Sequence, residues 1–253
     1  MSGQAVKARA FGSEIMTGKA VANVKGLNRV KGVQICAHAG EGAVLREISC
    51  ECVAMSGGWS PVVHLWSHCG GKLSWDEGQA AFVPNPDTAP TGADGSAFVA
   101  VAGTASGAMS TADVLASAVD ATAEVALRLG KSNLPKDLPS VAEALQDPLL
   151  PVWMMPQGAK RSLRAKAWLD FQNDVKVTDV QLAAQEGFES VEHAKRYTTL
   201  GMATDQGKTS NINGLAVLSQ SLGEKIPNVG TTTFRPPYTP ISMGAIAGEA
   251  RAD

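Results

Sequence analysis

The stretch KRYTTLGMATDQGKTS, residues 195–210, is the most chemically concentrated part of this sequence. It holds three cationic side chains, five threonine or serine hydroxyls, two glycines and a single acid. Ser190 precedes the helix-like pattern VEHAKRYT on one side, and Asn211 precedes INGLAVLSQSLG on the other. Both are residue types that cap helix N-termini, so the part of the stretch after VEHAKRYT is predicted to be a loop between two short helices.

A third helix completes the same unit. Thr178 is placed to cap DVQLAAQEG, which ends at Gly187, and Gly223 ends the helix that follows the loop. Glycine is the usual residue after a helix because it adopts the left-handed conformation without strain. We therefore predict a small helical domain over residues 166–225.

The loop has the features of an anion site. Lys208, Thr209 and Ser210 stand directly before a helix, where unpaired N–H groups and the helix dipole favour negative charge. Gly207 would let the backbone turn its N–H groups inward, and Arg196 and Lys195 could close the site from the preceding helix. The alternative is a capped turn between helices that carries ordinary surface lysines.

The stretch is not a nucleotide-triphosphate loop. GMATDQGKT has five residues between Gly201 and Gly207, whereas the P-loop pattern requires four. The preceding HAKRYTTL also has weak strand character.

Composition narrows the class of protein. The chain has 253 residues and a net charge of −2, so it can bury a sizeable core and has no global positive field to attract nucleic acid or an anionic membrane. No apolar run approaches the roughly 20 residues that span a bilayer. The N-terminal residues MSGQAVKARAFGSE lack a signal-peptide core, and a cytoplasmic protein is therefore expected.

The metal-ligating residue types do not form a recognisable metal site. The cysteines at 36, 50, 52 and 69 contain no C-x-x-C, and Cys50 and Cys52 lie in a strand-like alternation, so we predict buried thiols. His64 and His68 form H-x-x-x-H without the acid that a zinc protease needs.

The first half of the chain predicts an α/β domain over residues 1–132. IMTGKAVANV, RVKGVQICA and REISCECVAMSGG read as an antiparallel meander that returns to a main sheet. GGWSP, which begins with Gly57 and Gly58, marks an exit from a buried strand where a ligand could approach the backbone.

A β-turn-α unit follows. AFVAVAG at 97–103 is apolar on both sides, as a central parallel strand would be, and the turn TASGAMS leads into a helix over 111–130 capped by Ser110. The predicted fold class is α/β, a partial Rossmann-like domain of the flavin-disulfide-reductase type. A G-x-G-x-x-G fingerprint does not precede the meander.

Two further segments are predicted to be extended. Residues 133–165 hold five of the thirteen prolines and read as a linker arm, with the basic run KRSLRAK as a solvated face. Residues 226–253 are rich in proline and threonine and are expected to run over a surface or lead into a further segment.

The helical unit resembles the small domain that binds a [2Fe–2S] cluster in α chains of bacterial amine and opine dehydrogenases. The shared pattern is V-T-x-x-x-L, then K-R-x-T-x-x-G-M, then a Q-G turn. The resemblance places Gln172, Asp174, Asp205 and Ser210 at the four cluster-cysteine positions. A cluster needs thiolates, so the resemblance implies a domain of this type without its iron–sulfur cluster.

The cysteine-free version resembles the α subunit of heterotetrameric sarcosine oxidase. The matching stretches are CVAMSGGWSPVVHLWSHCGGKLSWDE, WLDFQNDV, EGFESVEHAKRYTTLGMATDQGKTSNINGLA and VGTTTFRPPYTP, which makes the chain similar to a middle section of that subunit. The family oxidises sarcosine to glycine with release of peroxide, and yields methylenetetrahydrofolate when tetrahydrofolate is present. The resemblance implies β, γ and δ subunits as partners, NAD bound by the α subunit, FMN at the α/β interface and FAD on the β subunit.

The resemblance assigns the loop to FMN, with its phosphate facing the cations and hydroxyls. The candidate residues for FMN are Arg196, Thr198, Thr199, Gln206, Gly207, Lys208, Thr209 and Ser210. In relatives of the flavin-disulfide-reductase type, a G-D pair touches flavin where this chain has Gly103 and Thr104, which favours a site retained for NAD. With Gly57 and Gly58 these are the remaining candidates for cofactor contacts.

Three functions remain open from the sequence. The first is a cofactor-binding interface section of a flavin-dependent amine oxidase complex, in which the isolated chain is not catalytic by itself. The second is a non-catalytic dinucleotide-binding module. The third is a structural adaptor of an amine or opine dehydrogenase-type complex.

Overall fold

A computed structural model describes residues 3–131, 138–142, 149–164 and 166–249, with the side chain of residue 161 excluded. Its N-terminal part is helix α1 (Gly3–Ala10) and an antiparallel sheet of β1 (Lys19–Gly26), β2 (Val30–Ala37) and β3 (Val44–Ser49), in the order β1-β2-β3. The meander prediction is therefore confirmed. The described residues contain no larger sheet for it to return to.

A helix and a hairpin follow the meander, and neither was predicted. They are α2 (His64–His68), β4 (Leu73–Asp76) and β5 (Ala81–Pro84). The carboxylate of Asp76 accepts hydrogen bonds from Gly78 N (2.8 Å) and Gln79 N (3.1 Å), which closes the turn between the two strands. Trp66 of α2 is buried and donates its indole N–H to Lys72 O at 2.8 Å, so the helix packs against the start of the hairpin.

The predicted parallel strand at 97–103 is wrong. Ala97 makes only an isolated antiparallel bridge with Thr91, and all strand pairs among the described residues are antiparallel. A strand exists only where neighbouring backbone satisfies its N–H and C=O groups along its length. Here the bridge of Ala97 and the hydrogen bond from Phe98 N to Pro90 O (3.2 Å) are not continued along the described stretch. Phe98 is accordingly 58% exposed.

The helix after it is as predicted. Helix α3 spans Thr111–Arg128, and the Ser110 hydroxyl accepts a hydrogen bond from Asp113 N at its first turn. Gly130, with φ of +69°, ends it in the left-handed conformation.

The C-terminal unit is a small helical core with one short hairpin. Its elements are α4 (Arg161–Arg164), β6 (Trp168–Asp170), β7 (Val175–Lys176), α5 (Val177–Gln185), α6 (Val191–Thr198), α7 (Asn211–Leu222) and α8 (Met243–Ala247). The apolar faces of α5, α6 and α7 form one buried cluster that includes Val180, Ala194, Leu200 and Leu218. The three predicted helices are confirmed, and α8 was missed.

Two of the predicted helix starts are wrong, by two residues for α5 and by one residue for α7. Helix α5 begins before Thr178, because the Asp179 carboxylate accepts a hydrogen bond from Lys176 N at 2.8 Å. Helix α7 has Ser210 as its N-cap, and Asn211 is its first helical residue, although the Ser210 side chain makes no capping hydrogen bond.

The cysteine prediction is corrected as well. Only Cys36 is buried; Cys50 is half-buried, and Cys52 and Cys69 are exposed. Strand β3 ends at Ser49, before the alternating stretch that suggested burial. For the same reason Gly57 and Gly58 are exposed in an irregular segment and do not leave a buried strand.

The linker prediction for 133–165 lies partly outside the described residues. The described parts, 138–142 and 149–159, contain no helix or strand, while the basic run includes the short helix α4. Among the described residues, no helix is long and apolar enough to cross a membrane.

The chain exposes much more surface than a self-contained protein of its size. Its accessible surface is 16916 Å², whereas a compact monomer of this mass exposes about 10,600 Å². Exposed side chains such as Trp59 (88%), Leu65 (67%) and Leu127 (71%) contribute apolar area to the excess. This surface is what a section of a larger assembly would present.

We expect the Gly214→Val variant to be destabilised by roughly 1–3 kcal/mol, because overpacking a filled core costs that much. A Cβ at Gly214 would overlap the side chain of Leu200, which is only 2% exposed. The matched control is Gly244→Val in α8, where a Cβ meets nothing within 4 Å. Urea unfolding of both variants checks this, and equal unfolding midpoints would contradict it.

Candidate functional site: the 199–210 loop and its strap

The carboxylate of Asp170 joins the two loops of the helical unit. Asp170 ends β6 and is 3% exposed. Its Oδ1 accepts hydrogen bonds from Gln172 N (2.8 Å) and Asn173 N (3.1 Å), and its Oδ2 accepts one from Gly201 N (2.8 Å). A buried carboxylate that is satisfied by backbone N–H groups is a strong local cross-link.

Side-chain hydrogen bonds reinforce this junction. Asn173 Nδ2 donates to Thr199 O at 2.9 Å, and Thr204 Oγ1 donates to Gln172 Oε1 at 3.1 Å. The two loops that carry Gln172, Asp174, Asp205 and Ser210 therefore meet. Among the described residues, no group of three or more His, Cys, Asp or Glu side chains could hold a metal ion. Hydrogen bonds to oxygen atoms join the two loops.

Asn211 organises the loop from the first residue of α7. Its Nδ2 donates to Gln206 O at 3.0 Å and to Thr232 Oγ1 at 3.3 Å. Its Oδ1 occupies the space where a Cβ would stand on Gly201 or Gly207, both of which have positive φ. Only glycine meets both the backbone and the packing requirement at these two positions.

Residues 231–238, which we call the strap, lie across the loop. Gln206 Nε2 donates to Arg235 O (2.9 Å) and Pro237 O (3.1 Å), and Gln206 Oε1 accepts from Arg235 N (3.0 Å). Lys208 Nζ donates to Tyr238 O at 2.7 Å and lies 4.3 Å from the centre of the Tyr238 ring. The loop that the sequence predicts to be an anion site thus holds a segment of its own chain.

Helix α2 closes the other side of the strap. His68 Nε2 lies 3.0 Å from Phe234 O, and the His64 ring packs on the Tyr238 ring with centroids 4.6 Å apart. The pKa of His64 is lowered from its ordinary 6.5, first because burial disfavours the charged ring, then because His68 and Lys208 add positive charge nearby. Burial also raises the pKa of Tyr238, and the Asp205 carboxylate raises it further.

A cavity of about 60 Å³ remains between the segment before α2, the hairpin, the loop, α7 and the strap. Pro61, Lys208, Asn211 and Phe234 are among the residues that line it. It has room for a few water molecules and is far smaller than the roughly 300 Å³ of a typical ligand pocket. A cofactor that contacts this loop would therefore lie on its outer surface.

The structure divides the predicted loop residues into two groups. Arg196, Thr199, Lys208 and Thr209 are exposed, and the Arg196 and Thr209 side chains have no hydrogen-bond partner among the described residues. The second group is turned inward: Thr198 donates to Ala194 O, Gln206 binds the strap, Gly207 N donates to Asp205 Oδ1, and Ser210 is 1% exposed.

The predicted glycine sites are only partly brought to the loop. Gly57 and Gly58 immediately precede Trp59, and the next two residues, Ser60 and Pro61, line the same small cavity as Gly207 and Lys208. Gly103 begins a 3-10 turn over Gly103–Ser106 and donates its N–H to Ser117 Oγ at 2.8 Å. Thr104 is exposed on that turn, which packs against β5 and α3.

Sequence reasoning missed the two residues that hold the site together. Asp170 begins the stretch DFQND, which connects β6 to β7. Its side chain accepts hydrogen bonds from the N–H groups two and three residues further on. An aspartate at the start of such a turn is a recognisable sequence signal. Asn211 was assigned as a helix cap, and its contact with two glycines has no local sequence signal.

Comparison with known proteins shows which proteins have a section similar to this chain. Residues 164–249, which contain the loop, the strap and Asp170, match the sarcosine oxidase A3 domain. The sarcosine oxidase α subunit of Rhizobium meliloti (strain 1021) is 38% identical over 230 residues, and that of Corynebacterium sp. (strain P-1) is 36% identical over 263 residues. The chain is homologous to a section of sarcosine oxidase α subunits.

That section is only part of the subunit. The alignments cover 90% and 100% of this chain but 22% and 26% of the two α subunits. The solved structure of L-proline dehydrogenase from P. horikoshii matches with a TM-score of 0.66 at 21% identity, over 97% of this chain and 48% of that one. This likeness confirms a mixed α/β fold that is shared beyond the sarcosine oxidase relatives.

We expect Gln206→Met to loosen the strap. The variant keeps the side-chain length and removes the three hydrogen bonds to Arg235 and Pro237, so the Arg235 amide should exchange its hydrogen roughly tenfold faster. Gln220→Met on the exposed side of α7 is the control. Unchanged exchange at Arg235 would show that Gln206 does not hold the strap.

The lowered pKa of His64 predicts a pH dependence of stability. In the folded state His64 stays neutral where the unfolded chain takes up a proton, so the free energy of unfolding should decrease as the pH falls below about 6.5. Above that value the effect disappears.

We expect His64→Gln to reduce this decrease between about pH 7.5 and about pH 5.5. His193→Gln, at an exposed position of α6, serves as the control. Urea unfolding at both pH values measures the difference. The prediction is contradicted if His64→Gln and His193→Gln lose stability equally.

Proposed function

We propose that this chain is the section of a sarcosine oxidase α subunit that contributes a flavin-facing surface and a dinucleotide-binding surface to a multi-subunit complex. The complex would oxidise sarcosine to glycine with formation of hydrogen peroxide, and form methylenetetrahydrofolate when tetrahydrofolate is present. The observation that carries the proposal is 36% identity to one such subunit over 100% of this chain. Its excess exposed surface supports a place within a larger assembly.

The role of the chain in this reaction is to bind and orient the cofactors. A flavin supplies the electron transfer when it is bound, and the protein supplies position and charge around it. The residues of the loop provide cations and hydroxyl donors on the outer surface of a rigid turn. Asp170 and Asn211 hold that turn in one conformation through buried hydrogen bonds.

The exposed loop residues fit the terminal phosphate of FMN. Arg196, Lys208 and Thr209 are exposed, and Lys208 and Thr209 directly precede Ser210, the N-cap of α7, where the helix dipole favours an anion. The carboxylate of Asp205, the only acid of the loop, accepts a hydrogen bond from Gly207 N at 3.1 Å. This hydrogen bond locally offsets the negative charge of the carboxylate. Gly207, Ser210 and Gln206 would affect FMN binding only indirectly, by fixing the conformation of the loop.

The NAD surface is proposed on the first half of the chain. Gly57 and Gly58 are exposed, and Gly58 has φ of +92°, so backbone there can approach a ligand closely. Thr104 offers an exposed hydroxyl at the turn before α3. We propose further that residues 1–132 form part of a Rossmann-like domain, and that residues 166–225 form a domain of the iron–sulfur-binding type without its cluster.

The decisive experiment is co-expression of the full chain with β, γ and δ subunits of a sarcosine oxidase, followed by an absorbance scan and a peroxide assay. Co-purification with flavin bands and sarcosine-dependent peroxide supports the proposal. A chain that purifies alone and carries an adenylate ligand would instead be a separate dinucleotide-binding module. A chain that joins the subunits without any effect on flavin or NAD content would be a structural adaptor.

In that complex we expect Arg196→Gln combined with Lys208→Gln to weaken FMN retention about tenfold or more, because each change removes a charged donor. Lys225→Gln, an exposed cation outside the loop, is the matched control. FMN content after dialysis and peroxide formation are the two measurements. If both stay at the level of the control, the phosphate of FMN does not bind at this loop.

A further inference from the structure

A second and larger cavity lies along helix α5, away from the loop. Its volume is about 320 Å³, and its walls come from α4, α5 and α7. It shares no lining residue with the small cavity beneath the strap. Its volume is within the range of small-molecule sites, which begins at roughly 300 Å³.

Arg164 gives this cavity a positive charge. Among the described side chains that line it, Arg164 is the only charged one, and none is acidic. Arg164 Nη2 donates to Gln157 O at 2.9 Å, which holds the guanidinium in place. A guanidinium beside a cavity can donate further hydrogen bonds to a bound anion.

The remaining lining supplies neutral donors and an apolar floor. Thr178, Gln181 and Gln185 follow one another at three and four residues along α5, so they share a face of the helix. Leu182 and Ala184 provide apolar wall. This combination of one cation, several amide and hydroxyl groups and an apolar surface is typical of sites for small polar organic molecules.

We propose that this cavity binds a small organic monocarboxylate that carries no ammonium group. A guanidinium pairs with a carboxylate through two parallel hydrogen bonds, which the neutral amides of Gln181 and Gln185 can extend. None of the described lining residues is acidic, which disfavours an amine or a zwitterionic amino acid because its ammonium would be left unpaired. The positive charge of Arg164 matches a single negative charge.

The test is a titration of the full chain, observed by NMR, with glycolate, glycine and inorganic phosphate at constant ionic strength. Glycolate and glycine have the same size and differ in one group, a hydroxyl in place of an ammonium. We expect saturable glycolate binding with shifts along α5, and affinity for glycine and for phosphate at least about tenfold lower. Absence of saturable glycolate binding, or equal affinity for glycine or phosphate, overturns the proposal.

A pair of variants locates the site. Gln181→Glu changes no heavy-atom shape but adds a negative charge beside the expected carboxylate, and should weaken glycolate binding about tenfold or more. Gln220→Glu makes the same chemical change at an exposed position of α7 outside the cavity. Equal glycolate affinity in the two variants overturns the assignment. The comparison of glycolate with glycine on the unmodified chain decides the ligand class even if Gln181→Glu folds poorly.

Discussion

The buried carboxylate of Asp170 is the constraint on which the helical unit depends. It connects the turn after β6 to Gly201 in the 199–210 loop through backbone N–H groups. Removing one partner from such a group would leave a buried charge unsatisfied, so the two loops are stable only together.

The rest of the site is built outward from this junction. Asn211 fills the space beside Gly201 and Gly207, which brings Gln206 and Lys208 to the surface that faces the strap. Their hydrogen bonds to the strap satisfy carbonyls of a proline-rich segment that has few partners of its own. The exposed cations and hydroxyls therefore lie on a turn that side-chain hydrogen bonds hold in place.

Local signals in the sequence predicted the features that depend on local chemistry. Ser110 and Gly130 bound α3 as expected, Gly187 and Gly223 end their helices, and the meander is present. The prediction of a parallel strand at 97–103 was wrong, because such a strand requires neighbouring strands that its own residues cannot supply. The loop was recognised as unusual from its composition, but its contacts with the strap cross about thirty residues of chain and leave no local pattern.

The sequence by itself determined that residues 166–225 form short helices around a glycine-containing loop, because capping residues, glycine stops and apolar periodicity act within a few residues. It also determined the relationship to sarcosine oxidase α subunits, through identities spread over the whole chain. Only the tertiary structure decided which loop groups face solvent. That choice depends on Asp170, Asn211 and the strap, whose hydrogen bonds join residues far apart in the chain and form only when the helices pack.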